Sequence, residues 1–347
     1  MRFRKPIACE RLIWVCLLAL SSFYTPPARG QDPAPETGPT MFPGGGLVSF
    51  DSNFTTRGLI SNPSEIIPQA ARPTFSHAGS FIFRWGFYRN FDVTVWVPLI
   101  TNHYEMPPTN GNLINGGTGI GDVMVLVKYR FYRQDSERGT TQASVTFGPK
   151  LPTGRTNFND INGNLLPASL QAGSGSTDVF LGANWTYTGV FKMKRLVADE
   201  DFKSLLRTTG TQATRLGVEL ESRFWMSYRA YQSKDVKREL LIGPTLVWMH
   251  RQDDTIAGVT QFGSGGGALL AGIKTFAGVR PGMHIWFGMD WDVAHWANQG
   301  LSAEQPHSAA ITVSQVGASP GTPPPIEHVP VRRFITFGIT QQFRFHH

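Results

Sequence analysis

The chain has 347 residues, a formal net charge of +7, and only 16% charged residues beside 12% aromatics and 37 glycines. Soluble domains carry about 25% charged residues, so this balance points to a surface that meets lipid rather than water. Five basic residues and one acid fall in the first thirty positions, which leaves 27 bases against 24 acids, or +3, in the rest; the basicity that suggests a nucleic-acid partner is largely that of the N-terminus, and nucleic acid is excluded as a partner.

That N-terminus reads as an export leader. The basic stretch Met1-Arg2-Phe3-Arg4-Lys5 precedes an apolar core, Leu12 to Leu20, too short to cross a bilayer, and Ala28-Arg29-Gly30 puts small residues at the positions a signal peptidase reads. Residues 1–30 are expected to be removed, 31–46 to be a flexible Pro/Gly-rich segment, and 47–347 to form the folded body. Cys9 and Cys16 both lie in the leader, so the mature chain is expected to have neither disulfides nor a thiolate site.

No later segment offers the ~18 or more consecutive apolar residues of a membrane-spanning helix. From Phe75 onward the dominant signal is instead period two. Phe81, Phe83, Trp85 and Phe87 alternate with Arg84 and Gly86; Val93 to Leu99 alternates with Asp92, Thr94 and Trp96. A three-residue turn at Arg89-Asn90-Phe91 pairs Phe87 with Val93 and sets Arg84 opposite Trp96, where a cation–π contact is expected. Val123 to Phe131 alternates with Asp122, Lys128 and Arg130, Val145 to Leu151 with Ser144 and Lys150, and Val179 to Tyr187 with Asp178.

The second half continues with Leu216 to Met226 against Glu219, Glu221 and Arg223, then Glu239 to His250 and Ala268 to Val279, the latter carrying Lys274. After an Arg280-Pro281-Gly282 turn, Ile285 to Val293 alternates with Asp290 and Asp292, and Ile335 to Phe345 closes the chain. The Pro281 turn pairs Ala277 with Ile285 and Ile273 with Met289, bringing Lys274 near Asp290. Asp199-Glu200-Asp201 reads as a solvated loop or short helix, and Pro320–Pro325 as an irregular external loop.

These are ten strands, each with aromatic and aliphatic residues on one face and charges on the other. A soluble β-sandwich would reverse the outer face, so the pattern implies an all-β, antiparallel transmembrane β-barrel. Loop lengths counted from the two ends disagree by one strand. A strand within Thr188–Thr214 or Arg251–Gly265, and another near Leu47–Thr56, bring the number to an even twelve. The expected location is the bacterial outer membrane, with its lipid as partner; the sequence leaves the oligomeric state open.

The residues expected to line the lumen are Arg84, Trp96, Asp122, Lys128, Arg130, Lys150, Asp178, Glu219, Glu221, Arg223, Lys274, Asp290 and Asp292. Glu219/Glu221 and Asp290/Asp292 sit about 7 Å apart along their strands, a spacing that acid/base catalysis also uses, but a polar lumen accounts for them without chemistry. The glycine runs before Asp122 and Asp178 lead into strands, not into the helix a phosphate-binding loop needs, and read as bends at the barrel lip. The histidines are scattered without metal-ligand spacing. No catalytic residue, cofactor or metal is expected, and the chain does not read as an enzyme.

Gly119-Ile120-Gly121-Asp122-Val123, Lys128-Tyr129-Arg130-Phe131, Gly148-Pro149-Lys150-Leu151-Pro152-Thr153-Gly154 and Gly173-Ser174-Gly175-Ser176-Thr177-Asp178, in this order, together with Arg72-Pro73-Thr74-Phe75, resemble the MetA-pathway of phenol degradation family of outer-membrane transporters. The resemblance covers Arg72 to Tyr187, and the His346-His347 ending departs from the usual aromatic terminus. It implies passive uptake of small molecules, aromatic or hydrophobic ones among them, and supplies no substrate-binding residues. The alternatives are a structural or surface-interaction barrel with an occluded lumen, and a barrel hydrolase.

Overall fold

Alternation of β-branched and aromatic residues with polar ones favours pleated strands whose two faces meet different media. The computed structural model describes residues 40–41, 43–57, 74–105, 113–137, 139–159, 163, 165–166, 168–234, 238–261, 265–297 and 331–344. The leader, Pro320–Pro325 and Phe345 lie outside the described residues. The described residues form sixteen strands: β1 Gly45–Arg57, β2 Thr74–Tyr88, β3 Phe91–Glu105, β4 Leu113–Ile120, β5 Met124–Asp135, β6 Thr140–Lys150, β7 Asp178–Thr188, β8 Leu196–Leu206, β9 Thr214–Arg215, β10 Glu219–Gln232, β11 Glu239–Arg251, β12 Asp254–Ile256, β13 Val259–Gln261, β14 Gly266–Arg280, β15 Met283–Ala297 and β16 Val331–Arg344.

Each strand of the main sheet pairs antiparallel with its neighbour, and β1 pairs with both β2 and β16, so the sheet closes on itself. The seam is continuous, running in one register from Gly45↔Arg344 to Thr56↔Arg333. β4 and β5 together form one stave against β3, broken at Gly121-Asp122-Val123, where Gly121 N–H bonds Pro98 O at 2.8 Å. The barrel therefore has twelve staves. β9, β12 and β13 form a small separate sheet among the long loops.

Short turns after β2, β5, β7, β10 and β14 share one end with Gly45 and Arg344; the longer connections share the other. The two strands anticipated beyond the ten are β1 and β8. β8 contains Asp199-Glu200-Asp201, so that run is strand, not loop or helix: Asn184↔Asp201 and Asp201↔Arg223 place it squarely in the ladder. Thr40 and Met41 are buried, and Met41 N–H reaches Asp92 at 3.1 Å.

The two faces are the reverse of those of a soluble sheet. Phe81 is 50% exposed, and Phe147, Leu246, Phe287 and Phe337 are exposed with it, whereas Lys128 is 2% and Asp178 0% exposed. Large apolar side chains in water are costly as a continuous surface, and buried charges need partners. The arrangement fits a wall with lipid outside and a polar interior.

Inside, Val197, Trp225, Leu241 and Phe276 pack together with Trp286 toward the short-turn end. Val247, Ala268 and Leu270 pack with Met249 and Phe334 toward the long loops. Part of the inner wall is thus apolar, filled by side chains on β8 to β16.

Candidate functional site: the barrel lumen

All thirteen residues expected to line the lumen project from the face opposite the exposed aromatic side, and they fall into three levels. At the long-loop mouth, Lys150 Nζ lies 2.6 Å from Asp122 and 2.8 Å from Asp178. Asp122 also accepts from Gly154 N–H at 3.0 Å and from Ser174 N–H at 2.8 Å, so one carboxylate holds both ends of the connection between β6 and β7. Burial pushes the Asp122 carboxyl upward, but hydrogen bonds from Lys150 and Ser174 outweigh it and hold the group below the usual carboxylate range. Arg207, just beyond β8, bridges Asp178 at 3.3 Å and Glu219 at 2.8 Å.

The glycines of the sequence motifs have a steric reason here. A Cβ on Gly154 would stand 2.5 Å from Gly173 Cα and 2.9 Å from the Gly121 carbonyl carbon. Three backbones meet at a distance no side chain allows, as glycine permits.

Near the short turns, Arg84 Nε donates to Asp92 at 3.0 Å. This corrects the expected contact of Arg84 with Trp96. β2 and β3 pair as Arg84↔Thr94 and Ile82↔Trp96, two residues from the expected register, because the chain turns at Arg89-Asn90 and bulges between Gly86 and Tyr88. Lys128 is fully buried beside Arg84 and Asp92, and Arg130 donates to Gln142 and Asn90, each at 2.9 Å, and to Arg89 O.

Between these levels lies a cavity of about 70 Å³. Ile82, Trp96, Leu126 and Phe180 form its apolar wall; Asp51, Arg84, Thr94, Thr146, Asn184, Asp201 and Lys203 its polar wall, with Gly182 between them. Lys203 pairs with Asp201 at 2.7 Å, and Asn184 also donates to Asp201. Asp199 accepts from Thr186 at 2.6 Å. Asp51, Asp199, Asp201 and Lys203 were not among the expected lumen residues; the three on β8 were hidden because that strand read as a loop.

On the remaining wall, Glu221 lies 3.3 Å from Arg223, whose guanidinium sits over the Phe334 ring at 5.3 Å. The Lys274 ammonium stands 4.8 Å over the Trp225 ring, Thr245 donates to Asp290, and Asp292 meets His295 at 2.5 Å. Ala277↔Ile285 and Ile273↔Met289 pair as expected, leaving Lys274 and Asp290 on the same inner face.

No protein-family model matches the chain, and no curated protein matches it in sequence. Among solved structures, it is similar to the COG4313 outer membrane channel from Pseudomonas putida F1, with 13% identity, a TM-score of 0.57, and 90% of this chain and all of that one covered. The β-domain of the Bordetella autotransporter Brka aligns with a TM-score of 0.47 at 9% identity, over 86% of this chain and 99% of that one. The fold it shares with that channel is a closed β-barrel of twelve antiparallel staves, apolar outside and charged within.

Proposed function

We propose that the protein is an outer-membrane channel for passive uptake of small molecules, with apolar and aromatic solutes as its cargo. The mid-barrel cavity carries this reading. Its apolar wall of Ile82, Trp96, Leu126 and Phe180 offers a surface to an uncharged ring, and Lys203, Asp201 and Asn184 opposite it engage one another. Small-molecule sites combine these features, an apolar lining with a few placed polar groups. The resemblance of the Gly119–Asp122 and Gly148–Gly154 motifs to the MetA-pathway family points the same way, and the name of the structure from Pseudomonas putida F1 supports the channel part of the reading alone.

A cavity of about 70 Å³ is smaller than the ~150 Å³ that accommodates benzene. An aromatic solute in this cavity therefore requires the side chains that line it to move aside. The same interior favours one alternative, an occluded barrel whose long loops serve a structural or surface role, since Met41 is buried against Asp92 and two apolar clusters project inside the barrel.

Planar-bilayer recording separates the two. The channel reading expects small conductance steps that a neutral aromatic such as indole reduces reversibly. The occluded reading expects no steps and no effect of indole. Expression with an export-competent leader and recovery in the outer-membrane fraction, with mobility on gels that depends on heating, tests the location; recovery as a soluble periplasmic protein contradicts it.

A further inference from the structure

The outer face departs from its apolar pattern at Glu200. Glu200 is a carboxylate that projects outward among the apolar side chains of the barrel strands. Its ladder neighbours are Trp185 on β7 and Phe224 on β10, both on the outer face. Ser222, also outward, donates to Glu200 Oε1 at 2.5 Å, and the second carboxyl oxygen has no hydrogen-bond partner among the described residues. Of the outward residues that flank it on β8, Ala198 is 4% and Phe202 40% exposed, with Ser204 at 7% beyond Phe202.

Lipid chains cannot satisfy a carboxyl group, and ionisable residues within membrane spans turn toward a polar partner. Glu200 is one outward position in from Ala198, the ladder partner of Tyr187, and Tyr228 pairs with Leu196 at the foot of the strand. Tyrosines at that level mark the interface girdle, so Glu200 stands inside the apolar band, where a soluble partner does not reach. A second barrel inserted in the same direction places its own Glu200 at the same depth. A protonated carboxyl carries one donor and one acceptor and is therefore complementary to itself, which a two-fold contact requires.

We propose that the outer face of β7, β8 and β10 around Glu200 is the contact surface for a second copy of this chain, the two carboxyls meeting across a two-fold axis parallel to the barrel axis. The proposal rests on the membrane-barrel reading and adds a partner to it. It also gives β8 a reason for its unusual sequence: the strand with the least apolar outer face is the one that does not face lipid.

The test is oxidative cross-linking in native outer membranes of the full chain with Cys9 and Cys16 replaced by serine. Phe202→Cys, two positions from Glu200, is expected to yield a disulfide-linked dimer, whereas Val48→Cys, outward on β1 across the barrel, is not. Adding Glu200→Leu should lower the Phe202→Cys yield at least about fivefold, while Glu200→Gln, whose amide keeps a donor and an acceptor, should retain it. Should Glu200→Leu hinder assembly, Ser222→Ala, which removes the orienting hydroxyl, is read in its place with the same expected loss. A monomeric Phe202→Cys protein, equal yields at positions 48 and 202, or a yield indifferent to Glu200 overturns the proposal, including the case in which the carboxyl serves an amine-bearing lipid instead. Membrane recovery and heat-dependent mobility of the same samples report separately on the barrel itself.

Discussion

The two ends of the lumen solve the problem of buried charge differently. At the long-loop mouth, three carboxylates, Asp122, Asp178 and Glu219, share two cations, Lys150 and Arg207. Near the short turns, Asp92 sits among Arg84, Lys128 and Arg130. The mouth is redundant: Lys150 keeps Asp178 if Asp122 is lost. The other end depends far more on a single acid, and each end uses its acid to hold a segment in the opening, Gly154 and Ser174 at the mouth and Met41 at the short-turn end.

The sharpest way to break this contrast is to remove each acid in turn. Asp92→Ala leaves Arg84 buried without its ion pair and should cost about 3–5 kcal/mol, read as a lower urea midpoint for loss of heat-dependent mobility. It should also raise conductance by releasing Met41. A control at the same level on the other side of the wall is Phe83→Arg, which exposes a charge to lipid and should cost ~2–4 kcal/mol near the midplane and hinder insertion. Thr94→Ser, inside, should have little effect. Ser144, also inside, is a poor site for an arginine control because it is wholly buried. Asp122→Ala should cost less than Asp92→Ala, about 1–3 kcal/mol, for the lost acceptor of two backbone N–H groups. Equal losses at the two ends would remove the distinction.

The same carboxylate gives a pH dependence with a definite sign. Asp122 is held below its unfolded value, so its contribution is present above ~3.9 and is lost as pH falls through the lower folded value. Protection of the connection between β6 and β7 from protease should hold from neutral pH through the mildly acidic range and fall only below the ordinary carboxylate range. A change already at pH 6 would assign the mouth to another group.

The smallest expected effect is ion selectivity. A channel selects when one sign dominates its wall; here a cation favoured by the mouth meets repulsion near the short turns, and an anion meets the reverse. Reversal potentials in a salt gradient should lie near zero, and a strong preference for either sign would contradict this charge map.

Much of this was legible from side-chain alternation. Ten strands and the inward parity of the charges on them follow from period two, because a one-residue slip would turn every charge toward lipid; the even total follows from loop lengths counted from the two ends. β8 was not legible, since Ala198, Glu200 and Ser204 on its outer face erase the contrast that marks a strand. Register across β2 and β3 was missed by two because parity fixes the face but not the position of the turn; at Pro281 the expected three-residue turn gave the observed pairing, which the chain reaches with a two-residue turn and a bulge between Gly278 and Arg280. The clamp formed by Asp122, Gly154 and Ser174 joins residues up to 52 apart in sequence, and no local pattern announces it.

The central claim, that the mid-barrel cavity is the path of small apolar solutes, is tested most directly by filling it. Gly182 lines the cavity, and a side chain built there first meets the Phe180 ring at 3.2 Å. Entry of radiolabelled naphthalene into intact cells expressing the wild-type chain should exceed that of cells without it. Gly182→Trp, correctly assembled by heat-dependent mobility, should return uptake to the background rate. Undiminished uptake through the Gly182→Trp barrel would contradict the account.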